Sequence, residues 1–431
     1  MITNNDMLRL SEPVEQMYMD CTSQLIINLC RHFKDGKDLP TTQWEMQKLA
    51  ELDAVTQESI EIIAANTGQS EAVIKQAITE ATKLELADAE AVLQGAANAG
   101  MITAAGTTLE SSPMVANVIK TLTEQAKNDT NIVNTVMLNS TKQRYLWAVE
   151  ESVAEEVALI EKLQSAANAE ELAAQLAKTQ RALNSATMSV ATGTEARTTA
   201  LRRVITQLAA EGITGYIDAG GHHWSPEAYI NMDIRTTVHN AAIQAQKDRA
   251  AEYGVATFQI SSHPGARPGC APYQGRFYSW DGTAGTVEDL NGKQYKYEPI
   301  TSCPTYGQPA GIFGINCGHS PQTFVNGYSL ARYSPTEDDE KNAELYKLSQ
   351  KQRYYERQIR QTKTTALGCR AADDEVGFAA AAEKLKMQNA NYRSFCEDNG
   401  LTQRKDRLQV VGYNREVSNA ARKATAKKKG A

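Results

Sequence analysis

The sequence predicts an α+β protein: a long, mainly helical N-terminal region, a small loop-rich mixed α/β domain in the middle, and a helical C-terminal region. Three observations carry this. Of the twelve prolines only Pro13, Pro40 and Pro113 precede residue 200, and the other nine fall between Pro226 and Pro335. Proline removes a backbone donor and clashes with the preceding turn, so its scarcity permits long helices and its crowding forbids them. Five of the six histidines, His222, His223, His239, His263 and His319, lie in the same window. Outside it Ala, Glu, Gln, Lys and Leu recur, the residues that lose least on entering a helix. The expected boundaries are 1–210, 211–333 and 334–431.

In the first region TTQWEMQKLAELDAV reads as an amphipathic helix with Thr41 or Thr42 as its N-cap. Further on, Val153, Val157 and Ile160, then Leu172, Leu176 and Leu183, recur at three-, four- and seven-residue steps. That period predicts one buried stripe on each helix. Residues 96–113, AANAGMITAAGTTLESSP, are poor in charge and rich in small side chains, a turn region between helical hairpins. Helix packing and docking on a partner is the expected role of this region.

The middle opens with a short strand and tight turn, Gly215-Tyr216-Ile217-Asp218 followed by Gly220-Gly221. Ser225-Pro226 then starts a helix that ends near Gly254, since serine caps free amides and proline is preset for the first helical position. VATFQIS (255–261) has the β-branched and aromatic content of a strand. SSHPGARPGCAPYQG (261–275) follows, with three prolines and three glycines in fifteen positions, and cannot be a helix. A turn at Glu288–Gly292 leads into KQYKYEPI, where Tyr295 and Tyr297 alternate with polar and charged residues as in a half-buried hairpin strand. GIFGINCGHSPQTFVNGYS closes the middle as another glycine-rich loop.

Bulk properties narrow the chemistry. The 431 residues are 42% apolar and 22% charged with net charge −6, an ordinary soluble composition with no general attraction for nucleic acid or acidic lipid. No run of eighteen apolar residues occurs and MITNNDMLRLSEPVEQ has no secretory pattern, so neither membrane insertion nor export is expected. Seven scattered cysteines fit reduced thiols of a cytoplasmic product.

His222 or His223, His263, Cys270, Cys317 and His319 offer the nitrogen and sulfur donors zinc favours, but no CxxC, HExxH or HxxxH spacing joins them. Cys270 or Cys317 beside His263 or His319 would make a nucleophile and base, and Arg235, Arg267 and Arg276 would suit an anion. None of these spacings is complete. The donors leave zinc open as a metal, and His263 and Arg267 are expected to satisfy backbone groups of a rigid loop.

Three blocks, GGHHWSPEAYINMDIRTT, SSHPGARPGCAPYQGRFYSW and GINCGHSPQTFVNGYS, resemble in order the motifs of the phage minor capsid protein 2 family, a group related to the Mu F-like head morphogenesis proteins. Trp224, Ser225, Glu227, Tyr229, Arg235, Thr236, Thr237, His263, Gly265, Ala266, Arg267, Pro268, Gln274, Gly275, Asn316, Cys317 and His319 occupy the positions of that pattern. Gly269-Cys270 departs from a serine–histidine type pair, and Gly318 from an arginine.

The resemblance covers about residues 210–330. It implies a structural minor head protein of a tailed bacteriophage, located in the virion after assembly in the host cytoplasm. Its partners would be the portal protein, the major capsid protein or both, in head assembly and genome packaging or delivery. Trp224, Arg235, His263, Arg267, Gln274, Cys317 and His319 are then structural motif positions with no catalytic role carried over, and with no catalytic spacing complete, neither turnover nor a cofactor is expected. The alternative is a virion-associated hydrolase, nuclease or transferase using the His/Cys/Arg set of residues 222–319.

In the third region Ser334-Pro335-Thr336-Glu337 has the form of a capping box opening a long helix. Leu345, Leu348, Gln352, Tyr355 and Ile359 follow as a seam of just over two heptads, short enough to favour packing within the chain. The end carries Arg422, Lys423, Lys427, Lys428 and Lys429, a basic and disordered tail that would suit packaged DNA or an acidic capsid surface, or simply keep the chain soluble.

Overall fold

The structure is a computed structural model that describes residues 4–36, 39–165, 199–211, 216–217 and 223–427. Helices α1 (Asn4–His32), α2 (Thr41–Ala50), α3 (Leu52–Thr67), α4 (Ser70–Asn98) and α5 (Pro113–Ser165) come first, and residues 199–211 are also helical. Strands β1 (Tyr216–Ile217) and β2 (His223–Trp224) precede α6 (Pro226–Glu252). Five more strands follow: β3 (Thr257–Ile260), β4 (Phe277–Ser279), β5 (Gly285–Glu288), β6 (Gln294–Pro299) and β7 (Pro321–Thr323). Helices α7 (Asp339–Ala371), α8 (Glu375–Asp398) and α9 (Arg415–Lys427) end the chain. This is α+β, helical at both ends with the strands between. Among the described residues no helix is long and apolar enough to cross a membrane.

Two compact units share the chain discontinuously. The first gathers residues 1–17, 69–132 and 227–351; the second gathers 18–68, 133–226 and 352–431.

The five-stranded sheet belongs to the first unit, in the order β5-β6-β4-β3-β7. It is mixed: β4 and β6 run parallel, with Phe277 opposite Tyr297, and the other pairs are antiparallel. Strands β4 and β7 are buried throughout, as is most of β3, whereas β6 alternates exposed and half-buried. The alternation predicted for KQYKYEPI is therefore real, and Tyr295 stacks on Phe277 at 4.7 Å. The closing glycine-rich segment is not all loop, because Pro321–Thr323 forms edge strand β7 on β3. Proline is tolerated there because it begins an edge strand, where a missing donor breaks no ladder on its open side.

A fully buried arginine marks the helical part of the first unit. Arg249 of α6 forks onto Glu90 of α4 at 2.7 and 2.6 Å, and its Nη2 also donates to the Thr107 carbonyl at 3.0 Å. Its Nη1 reaches Glu252, whose carboxylate accepts from Ser112 and Thr107 as well. Burial alone would raise the Glu90 pKa, but hydrogen bonds from Arg249 and Gln94 hold it below its ordinary value.

The second unit corrects three expectations. Helix α2 is preceded by Pro40 and has no side-chain cap, and the Thr41 hydroxyl donates to Glu156 instead. The predicted single helix also divides at Glu51, whose N–H is shared between the Gln47 and Lys48 carbonyls in a tightened turn. On α5 Val157 is exposed and Val153 half-buried, while Val149, Ser152 and Glu156 are buried. The buried face includes polar side chains with local partners, the Ser152 hydroxyl on the Ala148 carbonyl among them, so hydropathy alone misreads it. The Ile160 side chain, Leu172, Leu176 and Leu183 lie outside the described residues.

Helix α7 starts at Asp339 rather than inside the Ser334–Glu337 box, because Asp338 Oδ1 accepts the Lys341 N–H at 2.8 Å and supplies the cap. Its seam is satisfied within the chain. Leu345 lies against Gly265 in the first unit. In the second, Gln352 donates to Tyr392 and to the Thr402 carbonyl, Tyr355 packs 5.1 Å from Phe395, and Ile359 is fully buried. The basic end is not simply disordered: Arg422, Lys423 and Lys427 are part of α9, while Lys428 and Lys429 lie outside the described residues.

Candidate functional site

The proline–glycine segment is a closed excursion between β3 and β4. Ile260 donates to the Arg276 carbonyl at 2.9 Å and accepts from Gly275 N–H at 3.0 Å, which pins both ends of the loop. Gly275 has φ +74°, and a Cβ there would lie 2.7 Å from the Tyr333 carbonyl oxygen, so position 275 requires glycine on two counts. Inside the loop the Cys270 N–H bonds the Arg267 carbonyl, a single 3₁₀ turn covers Ala271–Tyr273, and Asn342 of α7 clamps both backbone groups of Ala266 at 2.8 and 2.6 Å. A second loop runs from Cys303 to Ser320 as successive tight turns, with Phe313 and Asn316 at positive φ. Arg267 ties the two loops together by donating to the Ile315 carbonyl at 2.6 Å and the Gly311 carbonyl at 2.7 Å.

Where the loops meet, three side chains converge. Cys270 Sγ and Cys317 Sγ are 3.9 Å apart, and Cys317 Sγ is 3.5 Å from His319 Nδ1. All three residues are buried, and their ligand atoms lie within 4.8 Å of one another. Arg267 Nε donates to Cys270 Sγ at 3.2 Å. Gln274 Oε1 accepts the His263 N–H at 2.7 Å and faces His319 Nε2 at 3.3 Å. The His263 ring stacks against His319 with centroids 4.3 Å apart. The cysteines sit in the apolar core of the sheet with Phe258, Ile260, Tyr278, Ile300 and Ile312.

The electrostatics follow from this packing. The hydrogen bond from Cys270 drives the Cys317 thiol well below its ordinary pKa, helped by His319 and His239 against the penalty of burial. Cys270 moves up in return, because its own S–H is held as the donor to the Cys317 sulfur and because it is buried. Burial lowers both His239 and His263, and the Nε2 of each is buried without a hydrogen-bond partner among the described residues. Two thiols and an imidazole in this geometry can share protons or bind a soft cation. Cys317 is 3% and His319 1% exposed.

The fold thus brings together His263, Arg267, Gln274, Cys317 and His319 of the motif positions, with Cys270. Arg235 is buried on α6, and its charge acts on His239 and His263. Trp224 belongs to β2, paired with Tyr216, in the other unit. His223 is also in β2, and His222 lies outside the described residues. Sequence reasoning overlooked a carboxylate pair: Asp233 of α6, with Oδ2 buried and without a hydrogen-bond partner among the described residues, feels Asp129 of α5. An Asp flanked by Met232 and Ile234 in a helical stretch was the available signal, but nothing in the spacing linked it to residue 129.

The fold is helix-rich α+β, and two of the three motif blocks converge on a buried, loop-locking cluster. The chain belongs to the phage minor capsid protein 2 family, whose profile matches residues 2–179 and 177–397. A "Structural protein" of Lactococcus phage LL-H is 31% identical over 236 residues, 53% of this chain and 60% of that protein. A second "Structural protein", from Lactococcus phage mv4, is 32% identical over 109 residues, 25% of this chain and 86% of that protein. The match thus spans less than two thirds of the LL-H protein's length. No solved structure matches the chain.

Proposed function

We propose that this protein is a non-enzymatic minor component of a tailed-phage head, carried in the virion beside the portal and acting in head assembly and in genome packaging or delivery. The family match over nearly the whole chain carries the reading, and the phage relatives named as structural proteins support it. Portal protein, major capsid protein or both are the partners, through exposed helical surface; the basic residues of α9 are the part suited to packaged DNA. Burial of the cysteine–histidine cluster argues against the enzyme alternative, since a catalytic thiol must meet its substrate.

The test is quantitative mass spectrometry of density-purified particles against the soluble fraction of the same culture. Enrichment in particles at a few copies per portal is expected. Abundant soluble protein with none in particles would reject the assignment.

A further inference from the structure

We propose that Cys270, Cys317 and His319 hold a structural Zn²⁺ ion, with Nε2 of His263 as the fourth ligand, and that the ion ties the 261–275 loop to the 303–320 loop. Four observations converge on it, and none depends on the family.

The first is metric. A tetrahedral zinc with Zn–S bonds of about 2.3 Å and Zn–N bonds of about 2.05 Å has an S–S edge of about 3.8 Å and an S–N edge of about 3.6 Å. Here Cys270 Sγ–Cys317 Sγ is 3.9 Å and Cys317 Sγ–His319 Nδ1 is 3.5 Å. A disulfide would need about 2.05 Å between the sulfurs.

The second is the tautomer. Gln274 Oε1 is fixed as an oxygen because it accepts the His263 N–H at 2.7 Å. The same oxygen faces His319 Nε2, so Nε2 carries the proton and Nδ1 turns its lone pair towards the thiols. A ring N–H held by an acceptor while the other nitrogen is left free is how metal-binding histidines are oriented.

The third is charge: two thiolates balance a dication, and Arg267 Nε places a cationic donor on Cys270 Sγ, the sulfur whose proton the ion would displace.

The fourth is the missing partner. His263 Nε2 is buried without a hydrogen-bond partner among the described residues, in a ring 4.3 Å from that of His319. The cluster of donors within 4.8 Å of one another is Cys270, Cys317 and His319 alone, so His263 Nε2 completes the set only by closing on the ion from its neighbouring ring. His239 Nε2 has the same lack of partner and is the competing fourth ligand. The spacing His263-x₆-Cys270 and Cys317-x-His319, on two loops, matches no short zinc motif, which is why the sequence alone does not display it.

The experiment uses the full chain, without a histidine tag, expressed in zinc-supplemented medium and purified without chelator. Elemental analysis is expected to find about one zinc per chain, falling at least tenfold in Cys270→Ser and Cys317→Ser. Cys270→His, which exchanges one zinc donor for another, is expected to keep most of the metal. His263→Ala weakens zinc in competition with a chromophoric chelator, and Gln274→Leu, a positioning change, does so by about 10–100-fold.

Cobalt substitution gives a readout independent of how well a variant folds, because wild-type protein should show a thiolate-to-cobalt charge-transfer band with tetrahedral ligand-field bands. Wild-type protein with less than about a tenth of an equivalent, no uptake from zinc chloride and no cobalt–thiolate band overturns the proposal. So does a Cys270–Cys317 disulfide in the native protein. Loss of metal in His239→Ala but not in His263→Ala overturns the assignment of the fourth ligand.

Discussion

Asp233 should make the protein less stable as pH rises through neutrality. Its carboxyl is driven up to about 7, first by burial and then by the neighbouring Asp129. The sign follows from linkage: the unfolded chain ionises near 3.8 and the native state near 7, so the native state binds the proton more tightly and its advantage is lost as pH rises through the folded value. Over the full range that displacement amounts to about 4 kcal/mol, and between pH 5 and pH 8 to about 2–3 kcal/mol. Asp129, raised by burial, adds in the same direction. The depressed histidines His239 and His263 act oppositely, since they favour the native state above about pH 6.5 and lose that contribution on acidification. The assay is therefore a difference: urea unfolding of wild type and Asp233→Asn from pH 5 to pH 8. The variant should gain on wild type by about 2 kcal/mol or more across that interval. A difference that stays flat with pH would falsify the reasoning.

Arg249→Met should lower stability by about 3–5 kcal/mol, because it strands the buried Glu90 carboxylate; Arg249→Met with Glu90→Leu should recover much of that loss in the same unfolding assay. Gly275→Ala should destabilise by more than about 1 kcal/mol, through positive φ and contact with the Tyr333 carbonyl, whereas Gly282→Ala, with positive φ but open space, should cost less. Arg267→Lys should not substitute for arginine: one ammonium cannot serve the Ile315 and Gly311 carbonyls and Cys270 Sγ together, so faster amide exchange is expected in residues 303–320.

The parts of the fold legible in the sequence were those set by local physics. Ser225-Pro226 opened a helix, Gly254 closed it, and the Tyr295/Tyr297 alternation marked a real strand. Errors came where a neighbour outbid the local signal. Thr41 spends its hydroxyl on Glu156 rather than on a cap, and Asp338 captures the start of α7 from a well-formed box. Strand β7 was hidden because a proline-led triplet becomes a strand only when β3 lies alongside it. The cluster was legible as a set of residue types and opaque as a constellation. Cys317-Gly318-His319 showed itself, but its meeting with Cys270 across 47 residues depends on Arg267 and Gln274 bonding across two loops.

That dependence bears on why a structural protein would retain such costly residues. The two loops contain little regular structure, only a few short turns, so their order must come from side chains reaching across. Arg267 supplies two bonds and Asn342 two more, yet each is a hydrogen bond worth about 1 kcal/mol net, or about 1.5–3 where the donor is charged. Burying two thiols and unsatisfied imidazoles costs a comparable amount. On hydrogen bonding alone the cluster is close to neutral. It becomes a net clamp when its donors share a cation, since binding free energy to a site absent from the unfolded chain is folding free energy. The buried cysteines and histidines would then serve the same end as the glycines and prolines around them, holding one loop geometry in a domain too small in sheet to hold it by strands.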